Sequence, residues 1–438
     1  MYRLFLALHY LLSRPIHLLG MGGVMLGVWA LILVVSIFSG FLREVRAHVQ
    51  SATSDLTVFR LRWPTTYRGL EQRLAEDANV AATAPRLVWY GLLHPIERPG
   101  AAPAPQEDLP TRADARFVSL IGIDPASERP VSGIERWLGD VTEPRLRVAQ
   151  PADPLPRNAE LPGILLSRTR MQRENLVAGA RVRLTLARMN AVNGEQQLHF
   201  LDREFQVAGA FTTKHVGFDE SNAFVPIDTL RAMLAEGEGA VVNEVAVRLV
   251  DPADARATVE RVRRALLRDH PGVMVMTWEQ RNEIYLQAIG HQGSIMKLIL
   301  FVIMVVATFL VFATLSMMVV EKTRDIGILT AMGATPAGVL QVFLTCGLAV
   351  TTVGTVLGIL AGCLSAFYLD AFRSWMKAAF GIDLFPTSVY HLERVPYDLD
   401  PLWIAQVVGA SLVLGLLAAG IPAWRAARHD PLRSLRYE

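Results

Sequence analysis

The chain has 438 residues, 52% of them hydrophobic and 19% charged, with a formal net charge of +2. Soluble domains carry about 25% charged residues, so the deficit points to a membrane protein. The near-neutral balance leaves no electrostatic footprint for nucleic acid.

The apolar excess is concentrated. A helix needs about 20 apolar residues to cross a bilayer. Residues 1–17 read as an amphipathic helix lying on the inner membrane surface. Residues 18–42 are uncharged and form the first expected span; the run is too long for a signal peptide, and Arg43, Glu44 and Arg46 follow it directly. Residues 43–297 have the composition of an ordinary soluble domain and contain no cysteine. Residues 298–320 form the second span. The uncharged run 326–369 is too long for one crossing and is interrupted by Gly333 and Pro336. Residues 326–332 therefore read as a short surface helix, within a cytoplasmic segment 321–342, and residues 343–369 as the third span. A loop, 370–401, leads to the fourth span at 402–424 and a tail at 425–438.

Orientation follows from Lys and Arg in the short flanks. Arg3, Arg14, Lys322, Arg324, Arg425, Arg428, Arg433 and Arg436 lie on one side; Arg373, Lys377 and Arg394 lie on the other. Both termini are expected in the cytoplasm and the large domain outside. Gly354, Gly358 and Gly362 line one face of the third span, and Gly23, Gly27 and Ala30 nearly do so in the first. Such ridges suit either packing within a subunit or a dimer face. Cys346 and Cys363 are too far apart on one helix for a disulfide.

The external domain mixes strands (55–62, 86–93, 117–123, 181–192, 196–207, 244–250, 273–277) with helices (67–77, 252–268), an α+β pattern expected to form two lobes divided near residues 161–163. Asn193-Gly194 marks a two-residue hairpin turn. Asn190, Val192, Asn193, Gly194 and Glu195 at its tip are a candidate docking element; a solvated hairpin without a partner is the alternative. No H-E-x-x-H, G-x-S-x-G or G-x-x-x-x-G-K-[ST] occurs, and His199 and His215 are isolated. The expectation is a chain without catalytic residues, metal ligands or a nucleotide site of its own.

At the inner end of the second span, Glu321, Lys322, Arg324 and Asp325 precede the apolar face Ile326, Ile328, Leu329 and Met332, with Gly333 behind. By residues alone this is an interfacial anchor or a lever against a soluble partner. Three stretches carry a family likeness: EKTRDIGILTAMGATPAGVLQVF at 321–343, FPTSVYHLERVPYDLD at 385–400 and IPAWRAARHDPLRSLRYE at 421–438. With the order of span, large domain and three spans, the chain resembles the FtsX-like permease superfamily, and most closely the lipoprotein-releasing ABC transporter permeases of the LolC/LolE type.

That resemblance implies a bacterial inner-membrane fold of four transmembrane helices with a large MacB-like α+β periplasmic domain between helices 1 and 2. It implies a cytoplasmic ABC ATPase dimer holding ATP and Mg, coupled through 321–333, and a second permease subunit, identical or homologous. The substrate would be a lipoprotein leaving the outer leaflet among membrane lipids, and the acceptor a periplasmic carrier. The hairpin at 193–194 lies where one family member carries a proline-containing hook for that carrier; here it has no proline. Leu166-Ser167 and Gly179-Ala180 depart from the family's usual Leu-Gly and Gly-Asp. A MacB-like efflux or mechanotransmission permease and an FtsX-like regulator of a cell-wall hydrolase are the alternative readings.

Overall fold

The computed structural model describes residues 16–61, 65–96, 116–155, 161–192, 195–234, 241–381 and 394–428. The chain divides into two compact units, Met1–Glu44 with Gln287–Glu438, and Val45–Leu286.

The first unit is helical. Its helices are α1 (Ile16–Ala52), α2 (Glu283–Glu321), α3 (Thr323–Ala331), α4 (Pro336–Phe367), α5 (Leu369–Phe380) and α6 (Pro401–Ala427). Four of these, α1, α2, α4 and α6, are long and apolar enough to cross a membrane. Both α1 and α2 extend past their expected spans: α1 continues through the charged stretch to Ala52, and α2 already begins at Glu283. At 1.5 Å per residue the 39 residues of α2 reach about 58 Å, nearly twice the hydrocarbon thickness.

Burial follows helical spacing. On α2 the buried positions Leu300, Met304, Ala307, Val311, Leu315 and Met318 recur at steps of three and four. The intervening Leu298, Phe301, Val302, Val305 and Phe309 are exposed, the pattern of a helix with one side on protein and the other on acyl chains. The glycine ridge of α4 packs inside this subunit: a Cβ at Gly354 would lie 2.8 Å from the Met21 carbonyl oxygen, and one at Gly358 2.7 Å from Val28 Cβ. Gly23 and Gly27 of α1 face Leu310 and Ala307 of α2. Cys346 and Cys363 are both free thiols.

The second unit is built on nine strands among the described residues: β1 (Leu56–Phe59), β2 (Val80–Pro95), β3 (Arg116–Ile123), β4 (Gly163–Ser167), β5 (Arg181–Val192), β6 (Glu195–Phe211), β7 (Asn222–Pro226), β8 (Glu244–Leu249) and β9 (Met274–Thr277). Their order is β3-β7-β4-β6-β5-β2-β8-β1-β9, and β3 also pairs with β2. Six strands thus close a ring, and β8, β1 and β9 extend from the other half of β2. The 16-residue β2 belongs to both lobes: Val80–Arg86 pairs with β8, and Leu87–Pro95 with β3 and β5.

The lobes are therefore not consecutive in sequence. The chain enters the small lobe at β1, leaves it along β2, completes the ring through β7 and returns at β8. This corrects the expected division near 161–163. That Pro-rich stretch precedes β4, inside the ring lobe; the boundary runs through Arg86/Leu87 and the approach to Glu244.

Leu93, Leu120, Leu184, Leu186 and Phe205 form one core. Ile123, Trp137, Leu165, Phe211 and Phe224 form a second, where Trp137 stacks on Phe224 at 5.8 Å and Phe211 meets Phe224 edge-on at 4.9 Å.

Candidate functional site

The segment between α2 and α4 is held by local chemistry legible residue by residue. The Thr323 hydroxyl donates to the carbonyls of Val319 (3.0 Å) and Val320 (2.8 Å), closing the end of α2. Lys322 Nζ pairs with Asp325 Oδ2 at 3.1 Å across one turn. Helix α3 ends in a Schellman motif: the Gly333 amide donates to Thr330 O and the Ala334 amide to Leu329 O. Gly333 has φ +98°, a left-handed conformation that a side chain would strain. Thr335 then caps α4, its hydroxyl accepting from the Gly338 amide at 3.2 Å, with Pro336 at the first helical position.

The result is a short helix with two different sides. Ile326, only 1% exposed, is part of the core with Val319, Val339 and Phe343. The opposite side carries Arg324, Ile328 and Met332, spaced by four residues, all exposed, Met332 to 81%. Glu321 and Val320 are exposed at the turn. This corrects the expectation of one apolar face from Ile326 to Met332: Ile326 holds the helix onto the bundle, and Ile328 and Met332 point away from it. A thioether and a branched aliphatic beside a carboxylate and a guanidinium make a surface suited to contact, not to bond-making chemistry.

In the second unit, β5 and β6 form a long hairpin with twelve cross-strand pairs, from Arg181↔Gln206 to Val192↔Glu195. That last pair leaves two residues for the connection, as the turn reading requires. Asn193 and Gly194, and the side chains of Asn190, Val192 and Glu195, lie outside the described residues. Lower on the hairpin Leu198 and Phe200 are exposed on its outer face, with Phe200 opposite Ala187. The alternation L-H-F from Leu198 to Phe200 could have revealed this strip, since its apolar members fall out of phase with the buried Phe205 and Val207.

A third arrangement was not expected from the sequence. At the lobe boundary Arg86 is buried and makes two hydrogen bonds to Glu128. Its Nη1 lies 3.5 Å from Glu244 Oε1, and Glu244 Oε2 lies 3.1 Å from Arg281 Nη1. Burial alone would lower the Arg86 pKa, but Glu128 and Glu244 outweigh it and the net shift is upward. Arg281 ends the short helix Trp278–Arg281 that directly precedes α2. Glu279 of that helix lies 3.7 Å from Arg46 of α1. Within the second unit, charged pairs thus tie the shared strand β2 to the helix Trp278–Arg281, and that helix in turn to Arg46. Among the described residues no group of three or more His, Cys, Asp or Glu could hold a metal ion.

Comparison with known proteins matches residues 18–265 to the MacB-like periplasmic core domain and residues 297–431 to the FtsX-like permease C-terminal region. The chain is 26% identical over 424 residues to the lipoprotein-releasing system transmembrane protein LolC of Neisseria meningitidis, covering 97% of this chain and 94% of that one. It is 23% identical to LolE of Haemophilus influenzae over 94% of this chain and 92% of that one. Similarity to the macrolide export ATP-binding/permease protein MacB of Escherichia coli is 28% over 201 residues, covering 45% of this chain and 28% of that one.

Proposed function

The chain belongs to the permeases that carry a MacB-like periplasmic core domain and an FtsX-like C-terminal region, and from that premise we propose that it releases lipoproteins from the outer leaflet of a bacterial inner membrane. It is an ABC transporter permease of the Lol type. A separate ATPase and a second permease subunit would complete the transporter, with both termini in the cytoplasm and the second unit in the periplasm.

The observation that carries this reading is the end-to-end correspondence with LolC, against a correspondence with MacB that spans less than half the chain. Physical chemistry supports the need for such a machine. Each buried CH₂ of an acyl chain contributes about 0.8 kcal/mol, so two or three chains hold a lipoprotein by tens of kcal/mol. Spontaneous release is negligible, and an energy source is required.

In this account the exposed side of α3, with Glu321, Arg324, Ile328 and Met332, meets the ATPase. Ile326 and Gly333 fix that side in position. The ATPase holds ATP and Mg; this chain contributes contact. The charged cluster Arg86–Glu128–Glu244–Arg281 holds the two lobes of the periplasmic unit together at their shared strand. The β5–β6 hairpin, with its exposed Leu198 and Phe200, is the docking element for a periplasmic carrier.

The test is purification of the intact transporter with identification of what accompanies it. An ATPase together with acylated proteins supports the reading. An ATPase together with a cell-wall hydrolase, or with a tripartite efflux partner, replaces it. Orientation is read separately from Ser127→Cys and Ser434→Cys. The first should react with an impermeant thiol reagent in intact cells and the second should not.

A further inference from the structure

Helix α5 follows α4 with a single non-helical hinge at Tyr368 and ends at Gly381, a left-handed cap with φ +68°. None of its 12 residues is buried. Its two sides differ sharply. Tyr368, Phe372, Trp375 and Ala379 recur at steps of four, three and four, and so share one side. Asp370, Arg373, Ser374 and Lys377 share the other. Phe372 and Trp375 rings lie 5.9 Å apart, and Trp375 meets Phe380 at 5.8 Å, so the aromatics form one continuous exposed strip. Trp375 is 56% exposed and Phe380 65%.

Two observations fix what covers that strip. The first is depth. The Asp370 carboxylate accepts the Val395 amide at 3.1 Å, and the segment just beyond, Pro396–Tyr397, lies against Gly40 of α1. Asp398 pairs with Arg43, the first charge after the apolar run of α1. The polar side of α5 is thereby tied to the level at which α1 leaves the hydrocarbon. The second is continuity. The exposed row Val353, Leu357, Leu360 and Leu364 on α4, spaced by three and four, runs directly into Tyr368. That row is the acyl-facing side of a spanning helix.

We infer that α5 is an interfacial helix, seated along the headgroup–acyl boundary of the outer leaflet with Phe372 and Trp375 in lipid and Lys377 in water. A helix with aromatics on one side and Lys or Arg on the other lies in that plane, about 5–10 Å deep. Held upright in water, the same helix would expose its whole aromatic strip to solvent; laid flat, it removes that strip from water and leaves the ion-paired side wet. The occupant is the lipid surface itself, and the consequence is an anchor that sets the depth of the α4–α6 end of the bundle.

The experiment uses the full chain with Cys346 and Cys363 replaced by alanine and one nitroxide at Phe372→Cys, Trp375→Cys or Lys377→Cys. It is reconstituted in vesicles of phosphatidylethanolamine and phosphatidylglycerol. Accessibility to oxygen, which concentrates in the bilayer, is compared with accessibility to a water-soluble nickel chelate. Labels at 372 and 375 should favour oxygen and lose access to nickel, and the label at 377 should do the reverse. Equal access at all three positions, or protection from both probes at 372 and 375, which would mean a protein covers the strip, overturns the inference. The unsubstituted chain provides a second reading in vesicles containing a photoreactive acyl chain. Adducts on Phe372 or Trp375 and none on Lys377 are expected; adducts confined to the spanning segments overturn it.

Discussion

Arg86 and Glu128 meet inside the periplasmic unit through two hydrogen bonds, Nη2 to Oε1 at 2.5 Å and Nε to Oε2 at 3.2 Å, with neither side chain open to solvent. The pair joins the strand that both lobes share to the short helix Pro125–Glu128 behind β3. Removing one partner of a buried pair costs about 3–5 kcal/mol, because the other charge stays behind. Arg86→Met strands the Glu128 carboxylate and leaves Glu244 only its pair with Arg281, whereas Glu128→Gln leaves Arg86 its contact with Glu244. Arg86→Met should therefore lower the thermal midpoint of the intact chain more than Glu128→Gln. Equal midpoints for both variants and the parent would show that the pair is not structural.

The two sides of α3 separate folding from coupling. Ile326→Asp places a charge in the bundle core and should prevent accumulation of folded chain. Ile328→Asp and Arg324→Glu change only exposed positions and should leave the folding stability within about 0.5 kcal/mol of the parent. Both should weaken ATPase association, by roughly 1–3 kcal/mol if the contact is desolvated. Binding of the ATPase to detergent-solubilised variants measures this; unchanged affinity in both would remove α3 from the coupling surface.

Helix packing gives a third expectation. A leucine at Gly358 would drive its Cβ to within 2.7 Å of Val28 and 2.8 Å of the Met25 carbonyl. Overpacking of this kind costs about 1–3 kcal/mol. Gly358→Leu should destabilise the single subunit, seen as a lower midpoint at any protein concentration. A loss confined to subunit association would return the ridge to an intersubunit face.

Asp219 sets a pH dependence. It is buried, and burial pushes its carboxyl from the ordinary 3.8 up to about 6, against hydrogen bonds from Thr213 N, Thr213 Oγ1 and Thr212 Oγ1 that pull the other way. Between those two values the folded chain holds a proton that the unfolded chain has released. Stability from this group therefore falls as pH rises from about 4 to about 6 and is level above, a change of roughly 2–3 kcal/mol. Asp219→Asn should remove that slope from a plot of thermal midpoint against pH. The same slope in the variant would assign it elsewhere.

Much of the fold was legible because its signals are periodic or terminal. The four apolar runs gave the spans, and β5 and β6 were visible from alternation on either side of Asn193-Gly194. The strands β4 and β7 were not. Gly163–Ser167 is buried at every position and Asn222–Pro226 at all but the first, so neither alternates. Both pair in parallel, β4 with β6 and β7 with β3, and such strands read as short apolar runs that no period distinguishes from a helix fragment. The lobe boundary was missed for a different reason. It lies within one continuous strand, so no change of composition marks it. In the segment between α2 and α4 the break at Gly333 and Pro336 was legible; the Thr335 cap and the inward turn of Ile326, opposite the exposed Ile328 and Met332, were not, because both sides of α3 carry isoleucine. The Arg86–Glu128–Glu244–Arg281 chain joins residues far apart in sequence, and spacing carries no trace of it.

Reconstitution measures ATP-driven release of lipoproteins without intermediary. The intact transporter, in vesicles loaded with a triacylated lipoprotein, is supplied with ATP and a soluble carrier, and lipoprotein in the supernatant is counted with time. Release that requires ATP, and that Ile328→Asp abolishes without lowering the amount of inserted chain, is the result expected. Lipoprotein that stays in the vesicles while the transporter hydrolyses ATP at full rate would contradict the account.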